Sequence, residues 1–229
     1  MRKEEIMSYF IRQGARLSVS DDANLEVYRT LPVGNYTVKL NPMTGFYLEI
    51  VDEFPKEKKI YGNSTKWAKR ILSTFEDRPS TTGILLSGEK GSGKTLLAKT
   101  ISQMAGEKGY PTLTINQSLC GEDFNKFIQD IDVPAVIIFD EFEKVYDEES
   151  QQQLLTLFDG MYPTKKLFVM TCNDKWRIDT HMRNRPGRIF YALEFSGLDS
   201  DFIREYCEDN LKNKASSLTL IVTEGLCSQ

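Results

Sequence analysis

One turn of the sequence gathers what is needed to grip an anion: Gly88-Glu89-Lys90-Gly91-Ser92-Gly93-Lys94-Thr95. Its spacing is G-x-x-x-x-G-K-[ST], the pattern of a phosphate-binding loop. Glycines let the backbone curl until several N–H groups point at one anion. The amides from Gly88 to Leu96 would ring a phosphate, with the positive end of a following helix behind them. Lys94 can reach the β- and γ-phosphates of a nucleotide, and the Thr95 hydroxyl suits Mg²⁺. The plain alternative is a glycine-rich loop that happens to hold a lysine. Chance produces this pattern in roughly one chain in a hundred of this length. An apolar strand before it and a helical pattern after it make chance rarer still.

Two further apolar runs end in polar residues. Val136-Ile-Ile-Phe139 delivers Asp140-Glu141. Asp140 would hold Mg²⁺, directly or through water, and Glu141 would polarise the water that attacks a γ-phosphate. Acidic residues often follow strands, so the pair gains meaning from the loop upstream. Leu167-Phe-Val-Met-Thr171 leads to Asn173. That amide suits a γ-phosphate or its attacking water, and it equally suits a turn with Asp174. Arg183, Arg185 and Arg188 then fall within six residues. They read as a solvated loop, as an anion-binding patch, or as arginines offered by one subunit to a phosphoryl group on its neighbour.

These residues need elements to position them. Gly83–Ser87, Ala135–Phe139 and Leu167–Thr171 are continuous apolar runs, as strands buried on both faces should be. Pro111–Asn116 and Ile189–Phe195 read as further strands. Helical patterns cover residues 93–105, Glu122–Asp130 and Gln151–Gly160, and residues 64–76 carry a stripe of Trp67, Ala68, Ile71, Leu72 and Phe75 with Ser64 as cap. Strands alternating with helices predict an α/β fold: a parallel sheet with helices on both faces and its ligand at the carboxyl ends of the strands. Ahead of this, residues 3–13 read as a helix with Ile6, Met7, Phe10 and Ile11 on one face and Gly14 as its stop. Tyr36, Val38 and Leu40, then a turn at residues 41–45, then Phe46, Leu48 and Ile50 read as a β-hairpin. The charged stretch Pro55–Lys59 suggests a boundary. The expected division is residues 1–57 as a small α+β N-terminal module, 58–197 as the core and 198–229 as a short helical lid.

Bulk properties add bounds. The chain has 229 residues and a net charge of −4, which gives no general pull toward nucleic acid or anionic membranes. Four cysteines without C-x-x-C spacing and a single histidine argue against a zinc site and fit a reducing, cytoplasmic setting. No segment has the length and apolarity of a signal peptide or a membrane span.

The order and spacing of the phosphate loop, Asp140-Glu141, Asn173 and Arg185-Pro-Gly-Arg188 resemble those of AAA+ ATPases. The R-P-G-R box resembles the AAA clade in particular. The resemblance covers about residues 58–213. It implies a P-loop NTPase fold, ATP and Mg²⁺ as ligands, and a homo-oligomeric ring, six-membered in that clade, acting on a macromolecule, in most cases protein. It implies that Asn173 is the sensor of the γ-phosphate, that Arg185 and Arg188 reach a neighbour's ATP, and that Ile60-Tyr61-Gly62 packs on adenine. Three departures stand out. Leu119-Cys120-Gly121 occupies the place of the aromatic–hydrophobic–glycine pore loop of threading unfoldases. In this the chain is more similar to the branch of the mitochondrial Rieske-protein translocase and to phage-encoded AAA proteins. Asp179 lies one residue farther from the R-P-G-R box than the clade leads one to expect. The lid reads as one helix over Asp199–Lys212, with apolar residues 217–222 and no second sensor arginine, so either the lid is reduced or the chain continues. Two other readings compete: a module that uses ATP chiefly to assemble, and a DNA-replication loader of the same superfamily.

Overall fold

The computed structural model describes residues 9–13, 16–20, 26–55, 59–159, 164–185, 187–197 and 200–211. The chain divides into two compact units, Met1–Thr30 and Leu31–Gln229.

The first unit holds β1 (Tyr9–Gln13) and β2 (Arg16–Ser20), an antiparallel pair in which Phe10 lies opposite Val19 and Arg12 opposite Leu17. The helix expected over residues 3–13 is therefore corrected for residues 9–13, and residues 3–8 lie outside the described part. Tyr9-Phe10-Ile11 and Leu17/Val19 are aromatic, aliphatic and β-branched. Two residues, Gly14-Ala15, separate the runs, which is hairpin spacing. At Phe10 and Ile11 the helical spacing coexisted with this pattern and lost to strand pairing.

The second unit is built on one seven-stranded sheet. In chain order its strands are β3 (Asn35–Asn41), β4 (Gly45–Val51), β5 (Thr82–Gly88), β6 (Thr112–Ile115), β7 (Ala135–Phe139), β8 (Lys166–Cys172) and β9 (Tyr191–Phe195). In space the order is β4-β3-β6-β7-β8-β5-β9. Every neighbouring pair is parallel except β3 with β4. The hairpin expected inside an N-terminal module is thus part of the main sheet. Thr37 on β3 pairs with Thr114 on β6, and Tyr36 and Val38 are buried in the core. This placement explains the apolar positions Tyr36, Val38, Phe46 and Leu48, which pack in the core that holds α3 (Glu122–Asp130), while Leu40 and Ile50 stay exposed. Phe46 stands 5.5 Å from the ring of Phe124 and 5.6 Å from that of Phe127.

Helices cover both faces of the sheet. On one side lie α1 (Ser64–Asp77) and α2 (Lys94–Glu107). Ile71, Leu72, Phe75, Leu97 and Ile101 pack there against Ile84, Leu86, Val136, Ile138, Leu167 and Val169. On the other lie α3 and α5 (Glu148–Phe158), with Phe124, Ile128, Leu154 and Phe158 against Leu85, Ile137, Phe139, Phe168 and Met170. Odd and even positions of β5, β7 and β8 feed opposite cores, which is why these strands read as unbroken apolar runs. Ser64 does not cap α1. Asn63 precedes the helix, and its carbonyl accepts from Trp67 N at 2.9 Å, so the first turn closes one residue earlier than expected. Asp147 caps α5 by accepting from Ser150 N at 2.9 Å. Short helices α4 (Phe142–Val145) and α6 (Thr180–Asn184) follow β7 and β8. A last helix, α7 (Ser200–Leu211), covers most of the helix expected over Asp199–Lys212, and residues 212–229 lie outside the described part. Among the described residues no helix is long and apolar enough to cross a membrane.

Candidate functional site

The polar residues singled out from the sequence emerge at the carboxyl ends of three adjacent strands: β5 ends at Gly88, β7 runs into Asp140 and β8 into Asn173. The loop after β5 can curl because Gly91 and Gly93 hold φ at 82° and 99°, a region that side-chain-bearing residues avoid. Gly93 is the residue that opens α2, so the free amides of that helix end face the loop.

Lys94, Thr95, Asp140, Glu141, Thr171 and Asn173 line one cavity of ≈250 Å³ together with Lys90 and Gly91. Lys94 is buried, and its ammonium donates to Gly88 O at 2.5 Å, Glu89 O at 2.7 Å and Asn173 Oδ1 at 3.3 Å. Three donors meet three acceptors, and the loop is held around its own lysine. The Thr95 hydroxyl lies 3.4 Å from Asp140 Oδ1. A hydroxyl and a carboxylate oxygen so placed beside the loop are the type of oxygen donor that a hard divalent cation takes.

Glu141 sits on a left-handed backbone, φ 51°, the one such non-glycine among the described residues. A bulky residue there is strained by about 1–3 kcal/mol, and strain of this kind gathers at functional sites. Its carboxylate is ion-paired with Lys144 one helical turn on. That ammonium, with Lys90 and Lys94 farther off, holds the Glu141 carboxyl below the usual carboxylate range, so it is ionised at neutral pH. Cys172 also lines the cavity, but burial pushes its thiol up to about 12, which leaves it protonated and a poor nucleophile.

Two residues of this cluster escaped the sequence reading. Thr171 is buried at the end of β8. Its hydroxyl donates to Asp140 Oδ1 at 2.6 Å and accepts from Glu141 N at 2.9 Å, tying both acidic residues to the neighbouring strand. Its one signal in the sequence was a hydroxyl inside an otherwise apolar run. Glu143 is 6% exposed, and its Oε1 accepts from both Asn173 N at 2.9 Å and Asn173 Nδ2 at 3.0 Å. Its signal was a second acidic residue two places after Glu141.

A second cavity of ≈300 Å³ adjoins the loop. Tyr61, Gly62, Leu96 and Leu97 line it, with Ser196 and Gly197 after β9 and Phe202 of α7. Ile60 is half-buried and is not in this lining. Tyr61 packs edge-on against Phe202 and Tyr206 at 5.7 and 5.3 Å, Gly62 N donates to Glu205 at 3.2 Å, and Lys59 pairs with Asp209. Helix α7 is therefore tied to the segment that walls this cavity.

The arginines part company. Arg185 is exposed, with one nitrogen 3.3 Å from Asp159. Arg188 is buried: its Nε and Nη2 clasp the two oxygens of Asp159 at 2.6 and 2.9 Å, and its Nη1 donates to His181 O at 2.8 Å. The guanidinium in turn holds the Asp159 carboxyl below its ordinary range. Arg188 was expected to reach a neighbouring subunit; within its own chain its donors are held by Asp159 and the His181 carbonyl. Neither arginine lines either cavity.

Comparison with known proteins agrees with this arrangement. A sequence model of the ATPase family associated with various cellular activities (AAA) matches residues 84–196. The ATP-dependent zinc metalloprotease FtsH 2 of Petrotoga mobilis is 29% identical over 188 residues, covering 70% of this chain and 28% of that protein. FtsH of Caldicellulosiruptor bescii is 30% identical over 159 residues, covering 58% and 25%. FtsH 3 of Conexibacter woesei is 31% identical over 132 residues, covering 46% and 17%. The chain thus spans about a quarter of the length of such relatives, and the protease activity in their names is said of them. The phosphate loop, the acidic pair and Asn173 all fall in the matched segment, and residues 84–196 of the chain are a domain of the AAA family of ATPases.

Proposed function

We propose that the chain hydrolyses ATP with Mg²⁺ as part of a homo-oligomeric ring and uses the cycle to remodel or move a protein. The observation that carries this reading is the single cavity shared by Lys94, Thr95, Asp140, Glu141 and Asn173. The amides of Gly88, Glu89, Lys90, Gly91, Ser92, Gly93, Lys94, Thr95 and Leu96 cradle the phosphates, and Lys94 exchanges its loop carbonyls for phosphate oxygens. Thr95 and Asp140 hold Mg²⁺, which neutralises phosphate charge when bound. Glu141 leaves Lys144 and takes a proton from water as the water oxygen bonds to the γ-phosphorus and the bond to the ADP oxygen breaks. Asn173 orients that water. Tyr61, Gly62 and Leu96 receive the base, and Ile60 supports that segment from outside the cavity. Arg185, exposed and only loosely held, serves a neighbour's phosphate, while Arg188 and Asp159 form the bracket beneath it.

The acidic net charge and the FtsH-like segment support a protein substrate over nucleic acid. The decisive experiment is Glu141→Gln. Turnover should fall by about 100-fold or more while ATP still binds, because a base is removed and the loop is untouched. Normal turnover by that variant would sink the assignment. Wild-type turnover no faster than spontaneous hydrolysis, with ATP-dependent assembly intact, would favour a module that uses ATP only to assemble.

A further inference from the structure

We propose that Glu143 is a positioning residue for hydrolysis, fixing the side-chain amide of Asn173 so that its carbonyl oxygen faces the phosphate loop. The inference rests on the reading of Asn173 given above. Glu143 is the second residue of α4, is 6% exposed and turns away from solvent. One of its oxygens takes both the main-chain and the side-chain N–H of Asn173, at 2.9 and 3.0 Å, and the other is buried without a partner. On the far side of the same amide, Asn173 Oδ1 accepts from Lys94 at 3.3 Å.

The chemistry of the two neighbours fixes which end of the amide is which. Ionised, a carboxylate only accepts, and an ammonium only donates. The amide nitrogen must therefore face Glu143 and the amide oxygen Lys94. Rotating the amide by half a turn would set oxygen against carboxylate and N–H against ammonium. A buried carboxylate with a spare, unsatisfied oxygen is costly for the fold alone. Its position makes sense if it disciplines Asn173. When phosphate draws Lys94 away, the freed Asn173 oxygen is left aimed at the cavity as an acceptor for one O–H of water, while Glu141 takes the other.

The test is an exchange of the hydrogen-bonding pair. Glu143→Gln lets the Asn173 amide flip, because the introduced carboxamide can donate as well as accept. Its kcat for ATP should drop by roughly 10–100-fold, the range for outer partners of reacting groups. The dissociation constant for a fluorescent ATP analogue should change by less than about threefold, which also shows the variant folded. Asn173→Ala should be slow as well, and adding Glu143→Gln to it should cost nothing more, since both remove the same interaction. Asn173→Asp sets two carboxylates face to face. Combining it with Glu143→Gln restores a donor–acceptor pair and should recover about tenfold or more of the activity lost by Asn173→Asp alone. Wild-type kcat in Glu143→Gln, multiplicative losses with Asn173→Ala, or no recovery in the exchanged pair would overturn the role of Glu143 alone. Wild-type kcat in Asn173→Ala would overturn the reading of the site, and this inference with it.

Discussion

On the proposed mechanism the Glu141 carboxylate has two tasks that cannot be done at once. In the structure it is paired with Lys144, and as the proposed base it would have to face water. The pairing also sets its titration, since Lys144 is the largest influence holding its pKa down. Lys144→Met removes that cation, so the carboxylate becomes easier to protonate. The acidic limb of the pH–rate profile should move to higher pH, with the alkaline side unchanged. A limb that stays in place or moves to lower pH would show that Lys144 does not tune the base. The arginines make a second contrast. Arg188→Ala leaves Asp159 without its clasp and should cost the fold about 3 kcal/mol, the low end for breaking a buried pair, because Asp159 is itself 25% exposed. Arg185→Ala should melt as the wild type does and yet lose turnover in the assembled state, most clearly when mixed with wild-type subunits. Equal melting of the two variants would overturn this division of labour.

Strand β5 carries the heaviest constraints among the elements. A Cβ on Gly83 would stand 1.9 Å from the carbonyl oxygen of Arg188, and Phe190 N donates to Gly83 O at 2.7 Å. Gly83→Ala must push the two backbones apart. It should destabilise the chain by about 1–3 kcal/mol, as overpacking does, and lower turnover beyond what unfolding explains. A variant as stable and as active as wild type would mean that the approach is looser than described. The strands themselves were legible because burial on both faces leaves no room for polar residues, and the phosphate loop was legible because its glycines and lysine serve a local geometry. What was not legible depended on partners far along the chain. Arg188 reads as a free cation until Asp159, twenty-nine residues earlier, is brought beside it. Glu143 reads as a solvated acid until β8 presents Asn173. The residues of β1 carry helical and strand patterns at once, and only their partner strand decides.

For the molecule as a whole, the line between units falls at Leu31, not at the charged stretch near residue 58 where composition shifts. A chain beginning at Leu31 keeps β3 and β4 and should fold with a cooperative thermal transition. One beginning at residue 58 strips two strands, bares the edge of β6 and removes Tyr36 and Val38 from the core, and should be aggregated or molten by circular dichroism. If the shorter chain melts cooperatively, the hairpin is an ornament and not part of the sheet's core.

The contact of Gly83 with Arg188 also bears on how subunits in a ring would inform one another. β5 begins where the arginine loop leans on it and ends, five residues on, at the loop proposed to cradle phosphate. Those five residues span about 17 Å of rigid strand. The arginine bracket and the glycine loop are thus two ends of a single rod. In the proposed ring, a subunit that fills or empties its own site would move the rod, and with it the Arg185 side chain proposed to serve its neighbour. Nucleotide state would then travel around the assembly in one sense of rotation, from each holder to the neighbour it assists, and Gly83 is the point at which one added methyl group would break that message.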